Sequence, residues 1–172
     1  VTYARRTDLG AGTTFNAELR SRLREVQTAF VSADEAEPRY DSLLVQARRS
    51  DVVIVGSYVN ITSETATAGA PRAFVDFVQA LQREGARVIV VSFGTPYLLQ
   101  QVPTVGSYAV AWGGTAASQR AAARALVGES PIAGTLPISI PPLHAGNERP
   151  FTSAPVGRSS IDATKASKTP PA

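Results

Sequence analysis

The chain has no cysteine and no methionine, and only one histidine and one tryptophan. Without cysteine there is no disulfide, no thiolate nucleophile and no Cys-ligated zinc, and the redox compartment stays open. With His144 alone, a multi-histidine metal site within the chain is excluded, and a histidine-dependent triad would have to use that residue. Lysine is confined to Lys165 and Lys168. The formal charge is +3 and the pI about 9.6, but the arginines are scattered and no basic stripe is interleaved with aromatics. Nucleic-acid binding is therefore not expected. No apolar run approaches the ~18 residues of a membrane span, and no secretory signal pattern is present. The missing methionine, even at position 1, leads us to expect a processed or excised piece of something longer.

Three cofactor and nucleophile motifs are also lacking. Gly10-Ala11-Gly12-Thr13-Thr14-Phe15 has Phe15 where a dinucleotide fingerprint needs a third small residue, and it lies too far from the first strand. No phosphate-binding Gly-Lys-Ser/Thr occurs. Gly56-Ser57-Tyr58 lacks the second glycine of a nucleophile elbow. No cofactor and no metal are expected.

What is present is a regular alternation. Its clearest stretch is Arg87 to Pro103, where Val88–Phe93 is β-branched and apolar and is bounded by Gly94 and Pro96. That pattern predicts a strand buried on both faces of a parallel sheet. Loops at the carboxyl ends of such strands face a ligand crevice or a partner. Val1 to Ala4 reads as the end of a strand expected to lack its beginning. A helix capped by Thr14 or Asn16 should run through Leu19 and Leu23. Further strands are expected at 26–31, 51–56 and 105–112, and a last edge strand at 136–140 between Pro137 and Pro141. Helices are expected at 40–49, from Pro71 to Gly85, and at 116–127.

Length allows one domain, able to bury roughly 70% of its unfolded surface. The fold class is α/β, a doubly wound three-layer sandwich with a mostly parallel sheet of five to six strands. We assign residues 1–141 to this domain. Residues 142–172 are rich in Pro, Ser, Thr, Ala and Gly, and read as a tail or linker.

Several residues fall on the carboxyl edge. Arg5, Arg6 and Asp8 follow the first strand and suit either a ligand or domain contact or an ordinary polar loop. Glu64 lies in the longest loop, 57–70. It is either a solvated glutamate or a general acid whose pKa a covering surface would raise.

The runs Ser50–Val55, Val90–Leu99, Tyr108–Glu129 and Pro131–Pro141, in that order, resemble the C-terminal α/β domain of glycoside hydrolase family 3. Thr95 stands where the family's turn has Asn. The resemblance implies a flavodoxin-like domain packed beside an N-terminal (β/α)8 barrel that carries the aspartate nucleophile of a retaining mechanism. In β-glucosidase-like members a glutamate on a loop of this domain is the acid/base, and Glu64 sits at a plausible equivalent. In β-N-acetylglucosaminidase-like members a histidine on a barrel loop serves, and this domain supplies no catalytic residue. The short Ala-rich segments and Tyr58-Val59 after the third strand fit the second group better. The expected role is then a buttress that walls a β-linked sugar through loops 5–13, 57–70 and 94–97. Arg5, Arg6, Asp8, Tyr58, Glu64, Thr95 and Tyr97 would face substrate or barrel. The chain alone should be inactive, and an extracytoplasmic place, periplasmic or secreted, is the expectation. The rival is a stand-alone flavodoxin-like ligand-binding or interaction module. An exposed apolar patch at the carboxyl edge favours a partner domain; a deep polar pocket there favours the module.

Overall fold

The computed structural model describes residues 1–32, 37–60 and 69–141. Its elements are β1 (Thr2–Tyr3), α1 (Thr13–Arg20), β2 (Phe30–Val31), α2 (Glu37–Ala47), β3 (Val53–Ser57), α3 (Arg72–Arg83), β4 (Val88–Ser92), a 3-10 turn (Pro96–Gln100), β5 (Ser107–Val110) and α4 (Ala116–Leu126). The five strands form one parallel sheet in the order β2-β1-β3-β4-β5. This is the flavodoxin-like doubly wound arrangement.

The two central strands are the two most apolar runs of the sequence. β3 and β4 pair from Val53↔Val88 to Ser57↔Ser92. Both faces of these strands are covered, so period-2 alternation is absent, as parallel strands require. On one face Tyr3, Val31, Val55 and Val90 pack against Leu43 of α2 and Phe74, Val78 and Leu81 of α3. On the other, Val91 and Phe93 meet Phe15 and Leu19 of α1 and Ala123 and Leu126 of α4. Between α1 and α4, Glu18 joins Arg22 (2.6 Å) and Arg120 (3.0 Å). The Arg120 guanidinium, more than any other group, holds the Glu18 carboxyl below its usual range.

Two helix ends follow directly from glycine. Gly85 (φ 78) and Gly128 (φ 80) take the left-handed conformation just beyond α3 and α4. Behind them Ala86 N–H donates to Leu81 O (3.0 Å) and Glu129 N–H to Arg124 O (2.9 Å), the six-to-one bonds of a Schellman ending.

Three expectations are corrected. Neither Thr14 nor Asn16 caps α1: its N-cap is Gly12 (φ 73), which makes no side-chain cap, and Asn16 Nδ2 instead donates to Thr2 Oγ1 (3.2 Å). The strand expected at 26–31 shrinks to Phe30–Val31, because its partner among the described residues, β1, is itself Thr2–Tyr3. The strand expected at 136–140 does not form. Only Ile140, 1% exposed, makes an isolated bridge. Pro137 and Pro141 bring no amide donor to a ladder.

Candidate functional site at the carboxyl edge of the sheet

In a doubly wound sheet the crevice opens where successive connections go to opposite sides, here between β1 and β3. A pocket of about 270 Å³ lies there. It is lined by Asp8, Gly10 and Ala11 after β1, Tyr58 and Asn60 after β3, Phe93 after β4, and Gly114 before α4.

The loops around it are tied together from below by one side chain. Gln119 of α4 is 2% exposed. Its Oε1 accepts from Phe15 N–H (3.0 Å), and its Nε2 donates to Gly10 O (3.0 Å) and Gly114 O (2.7 Å). It thereby supplies the α1 cap that local residues do not, and joins two walls of the pocket. Tyr58 forms the floor. It is 6% exposed and stacked on Phe93 at 4.7 Å between ring centroids. A Cβ on Gly114 would come within 3.1 Å of its ring, so glycine there makes room for the tyrosine.

Tyr58 Oη is buried without a well-formed hydrogen bond, as is Ser57 Oγ. Burial pushes the Tyr58 phenol up to about 12, and the nearby Gly12 backbone offsets only part of this. Burial also raises Tyr108 to about 12, the Ser92 hydroxyl and the Leu99 backbone offsetting only part of this, and its Oη donates to Pro96 O (3.1 Å). Both phenols start from 10.0, so the unfolded chain releases these protons first. Stability should hold below pH ~10 and be lost as pH rises towards ~12. Tyr58→Phe removes an unsatisfied hydroxyl. Its unfolding free energy at pH 7 should match wild type or exceed it by about 1 kcal/mol, with a shallower alkaline loss in urea titrations at stepped pH. A steeper loss would contradict this assignment.

The residues singled out in the sequence divide clearly. Asp8 and Tyr58 line the pocket. Arg5 pairs with Asp8, Nη2 to Oδ1 at 3.3 Å and Nε to Oδ2 at 3.4 Å, within one exposed turn that also carries Arg6. Thr95 is buried and its polar atoms are engaged by backbone and turn: Oγ1 accepts from Tyr97 N–H (3.3 Å), the carbonyl accepts from Ser92 Oγ (2.7 Å), and its N–H donates to Val59 O (2.7 Å). Thr95 and Tyr97 do not line the pocket. Glu64 and His144 lie outside the described residues.

Sequence reasoning missed Trp112, Leu9, Asn60 and Gln119. Trp112 is the chain's single tryptophan, 52% exposed, with φ 58. A left-handed backbone under a bulky side chain is unusual. Ala111 N–H bonds Ser92 O (2.8 Å) just before it, and Gly113-Gly114 follow. Leu9 is 88% exposed and precedes Gly10 of the pocket wall. Nothing local in the sequence marks either as exposed.

Among the described residues Asp8 is the only carboxylate lining the pocket. No cluster of three or more His, Asp or Glu among them is suited to a metal, and no helix among them is long and apolar enough to cross a membrane. The sheet order and the pocket at its reversal define a flavodoxin-like α/β domain of the doubly wound class. The family model of the glycosyl hydrolase family 3 C-terminal domain matches residues 3–168, and the chain belongs to that family. Membership in a glycosyl hydrolase C-terminal family points to a glycoside hydrolase context and implies an N-terminal catalytic domain as partner. The match runs past residue 141 into the compositionally distinct segment that begins at 142. Comparison with curated proteins and with solved structures finds no match.

Proposed function

We propose that this domain is the non-catalytic C-terminal buttress of a retaining β-N-acetylglucosaminidase. In this reading an N-terminal (β/α)8 barrel supplies both catalytic groups, and the carboxyl edge of the present sheet covers the barrel and walls the sugar site. The observation that carries the reading is the chemistry of that edge. Among the described residues its pocket offers one carboxylate, Asp8, already paired with Arg5, and the loops after β1 and β5 each carry an exposed apolar side chain, Leu9 and Trp112. Retaining hydrolysis by two carboxylates needs them about 5–5.5 Å apart, and among the described residues the pocket lining holds no second one. Large exposed apolar groups at one edge suit contact with another domain. The barrel, the β-linked sugar and the preference for N-acetylglucosamine belong to the proposal.

The second reading makes the domain part of a β-glucosidase, with Glu64 as acid/base. It is favoured by one observation: the departing stem of the connection that bears Glu64 lines the crevice through Tyr58 and Asn60, and Val59 O there accepts from Thr95 N–H (2.7 Å). Kinetics of the full-length parent on paired aryl β-N-acetylglucosaminide and aryl β-glucoside substrates, with and without Glu64→Gln, separate the two. The stand-alone module is the weaker reading, since the pocket is small and has no phosphate-binding first loop.

A further inference from the structure

The crevice between β1 and β3 holds two hydrogen-bonding side chains at places its backbone fixes. Asp8 closes one turn and opens the next: its N–H donates to Arg5 O (2.9 Å), and its carbonyl accepts from Ala11 N–H (2.9 Å). Its carboxylate is held by the Arg5 guanidinium (3.3 Å). Asn60 follows β3. The carbonyl before it, Val59 O, receives Thr95 N–H (2.7 Å), and a Cβ on Gly94 would come within 3.0 Å of Asn60 Oδ1. Gly114 completes the lining, tied to Gly10 through Gln119, whose Nε2 donates to both carbonyls.

The lining decides what fits. At about 270 Å³ the pocket lies just below the ~300 Å³ at which drug-sized ligands begin, so it has room for one ring and not for a dinucleotide. Ala11, Phe93 and the Tyr58 ring give it an apolar side. Asp8 brings acceptor oxygens, and Asn60 brings an acceptor and an amide donor. Among the described residues no cation lines it, so an anionic ligand would face the Asp8 carboxylate. An uncharged pyranose matches both sides. Its ring C–H groups suit the apolar side, and its hydroxyls, each donor and acceptor, suit Asp8 and Asn60. A second observation lies two residues before Gly114. Trp112 holds φ 58 with its indole half exposed. Strained residues gather at ligand sites, and an amphipathic indole suits a sugar surface.

We propose that this crevice is a pyranose-binding subsite belonging to the domain itself: one uncharged sugar ring sits between the loops after β1 and β3, with its hydroxyls on Asp8 and Asn60. The inference rests on the reading that this edge walls a sugar site and goes one step further. That reading needs only contact with a sugar held by the barrel, whereas the subsite binds sugar without the barrel. Asp8 is half-buried and Asn60 exposed, both on loops, so Asp8→Ala and Asn60→Ala should fold.

Amide NMR shifts of the 172-residue chain, titrated with methyl β-N-acetylglucosaminide and methyl β-glucoside, read binding with no catalytic domain present. Saturable shifts are expected at Gly10, Ala11 and Gly114 and at the Trp112 indole, with Val90 at the sheet centre unchanged. Half-saturation should fall in the millimolar range, because two polar side chains and one apolar side leave little surplus over the cost of binding. Each alanine variant should weaken binding about tenfold, the loss of one good hydrogen bond. Glycerol, which has vicinal hydroxyls but no ring, and inorganic phosphate are the controls. No saturable shift with either glycoside overturns the subsite. An equal response to glycerol, a response to phosphate in place of the glycosides, or undiminished binding in both variants overturns it too. The wild-type titrations decide even if a variant fails to fold. Binding by this chain beside a parent that prefers the aryl β-glucoside keeps the subsite and sinks the N-acetylglucosaminidase reading. Absent binding sinks the subsite, while that reading stands or falls on the kinetics of the parent.

Discussion

Replacing Gly94 by alanine should cost about 3 kcal/mol of unfolding free energy, the upper end of what forced overpacking produces. A Cβ at Gly94 would run into the carbonyl oxygen and carbon of Val59, and its third neighbour is Asn60 Oδ1 at 3.0 Å. The obstruction is backbone, and that backbone is not free to move: Val59 O receives Thr95 N–H at 2.7 Å, and Phe93 N–H bonds Ser57 O at 2.8 Å. The exits of β3 and β4 would have to separate. Relief would then be taken from the sheet centre, where Val90 and Val91 have essentially no exposure. The cost is large against the ~5–15 kcal/mol that holds a domain together. Urea unfolding measures it, with Gly10→Ala as control. A Cβ at Gly10 meets nothing within 4 Å, so that change should stay within about 0.5 kcal/mol. Equal midpoints for the two variants would contradict the close crossing of the strand exits.

Gln119→Leu should cost a similar amount, by a different route. Leucine matches the volume but leaves Phe15 N–H and Gly114 O without this partner, while Gly10 O keeps only Thr13 N–H (3.3 Å). Each buried orphan costs on the order of 1–3 kcal/mol. Gly10 and Gly114 lie nearest the open pocket, where water replaces part of what is lost. The expected total is therefore about 3 kcal/mol, most of it from the buried Phe15 N–H. Gln119→Glu keeps an acceptor for Phe15 but turns oxygen towards two carbonyls, so it should not rescue. Guanidinium unfolding with an unchanged m-value reads this as a stability loss. A Leu variant as stable as wild type would mean that Gln119 does not join these loops.

These two residues also mark what could and could not be read beforehand. The apolar runs at Val53–Val55 and Val88–Val91 identify the central strands because burial on both faces demands such runs. The helix from 72 to 83 was legible from Phe74, Val75, Val78 and Leu81 and from Gly85 beyond it. The α4 cap is local: Thr115 Oγ1 accepts from Ser118 N–H at 3.2 Å. The α1 cap was not local. Its acceptor comes from Gln119, 104 residues away in sequence, and no pattern around Thr14 or Asn16 encodes it. The edge strands shrank for a related reason: their length depends on the neighbour's length, which β-propensity does not contain.

The candidate site follows the same division. The strand ends that bear it were legible, and Asp8 and Tyr58 do line the pocket. Thr95 and Tyr97 drew notice as polar groups after a strand, but a turn consumes its own polar atoms, as Thr95 does. Trp112 escaped because exposure is a tertiary property. An apolar strand end followed by Gly-Gly looks the same whether its tryptophan turns in or out.

The central claim is that this domain covers and walls an active site without taking part in the chemistry. The measurement that bears on it most directly is kcat of the full-length parent on aryl β-N-acetylglucosaminide and aryl β-glucoside, wild type against Glu64→Gln. A general acid contributes about 10²–10⁴-fold. The buttress account predicts preference for the N-acetylglucosaminide and a Glu64→Gln kcat within about threefold of wild type, far short of that contribution. Preference for the glucoside, with kcat lowered about a hundredfold or more in the variant, would contradict it and make Glu64 the acid/base.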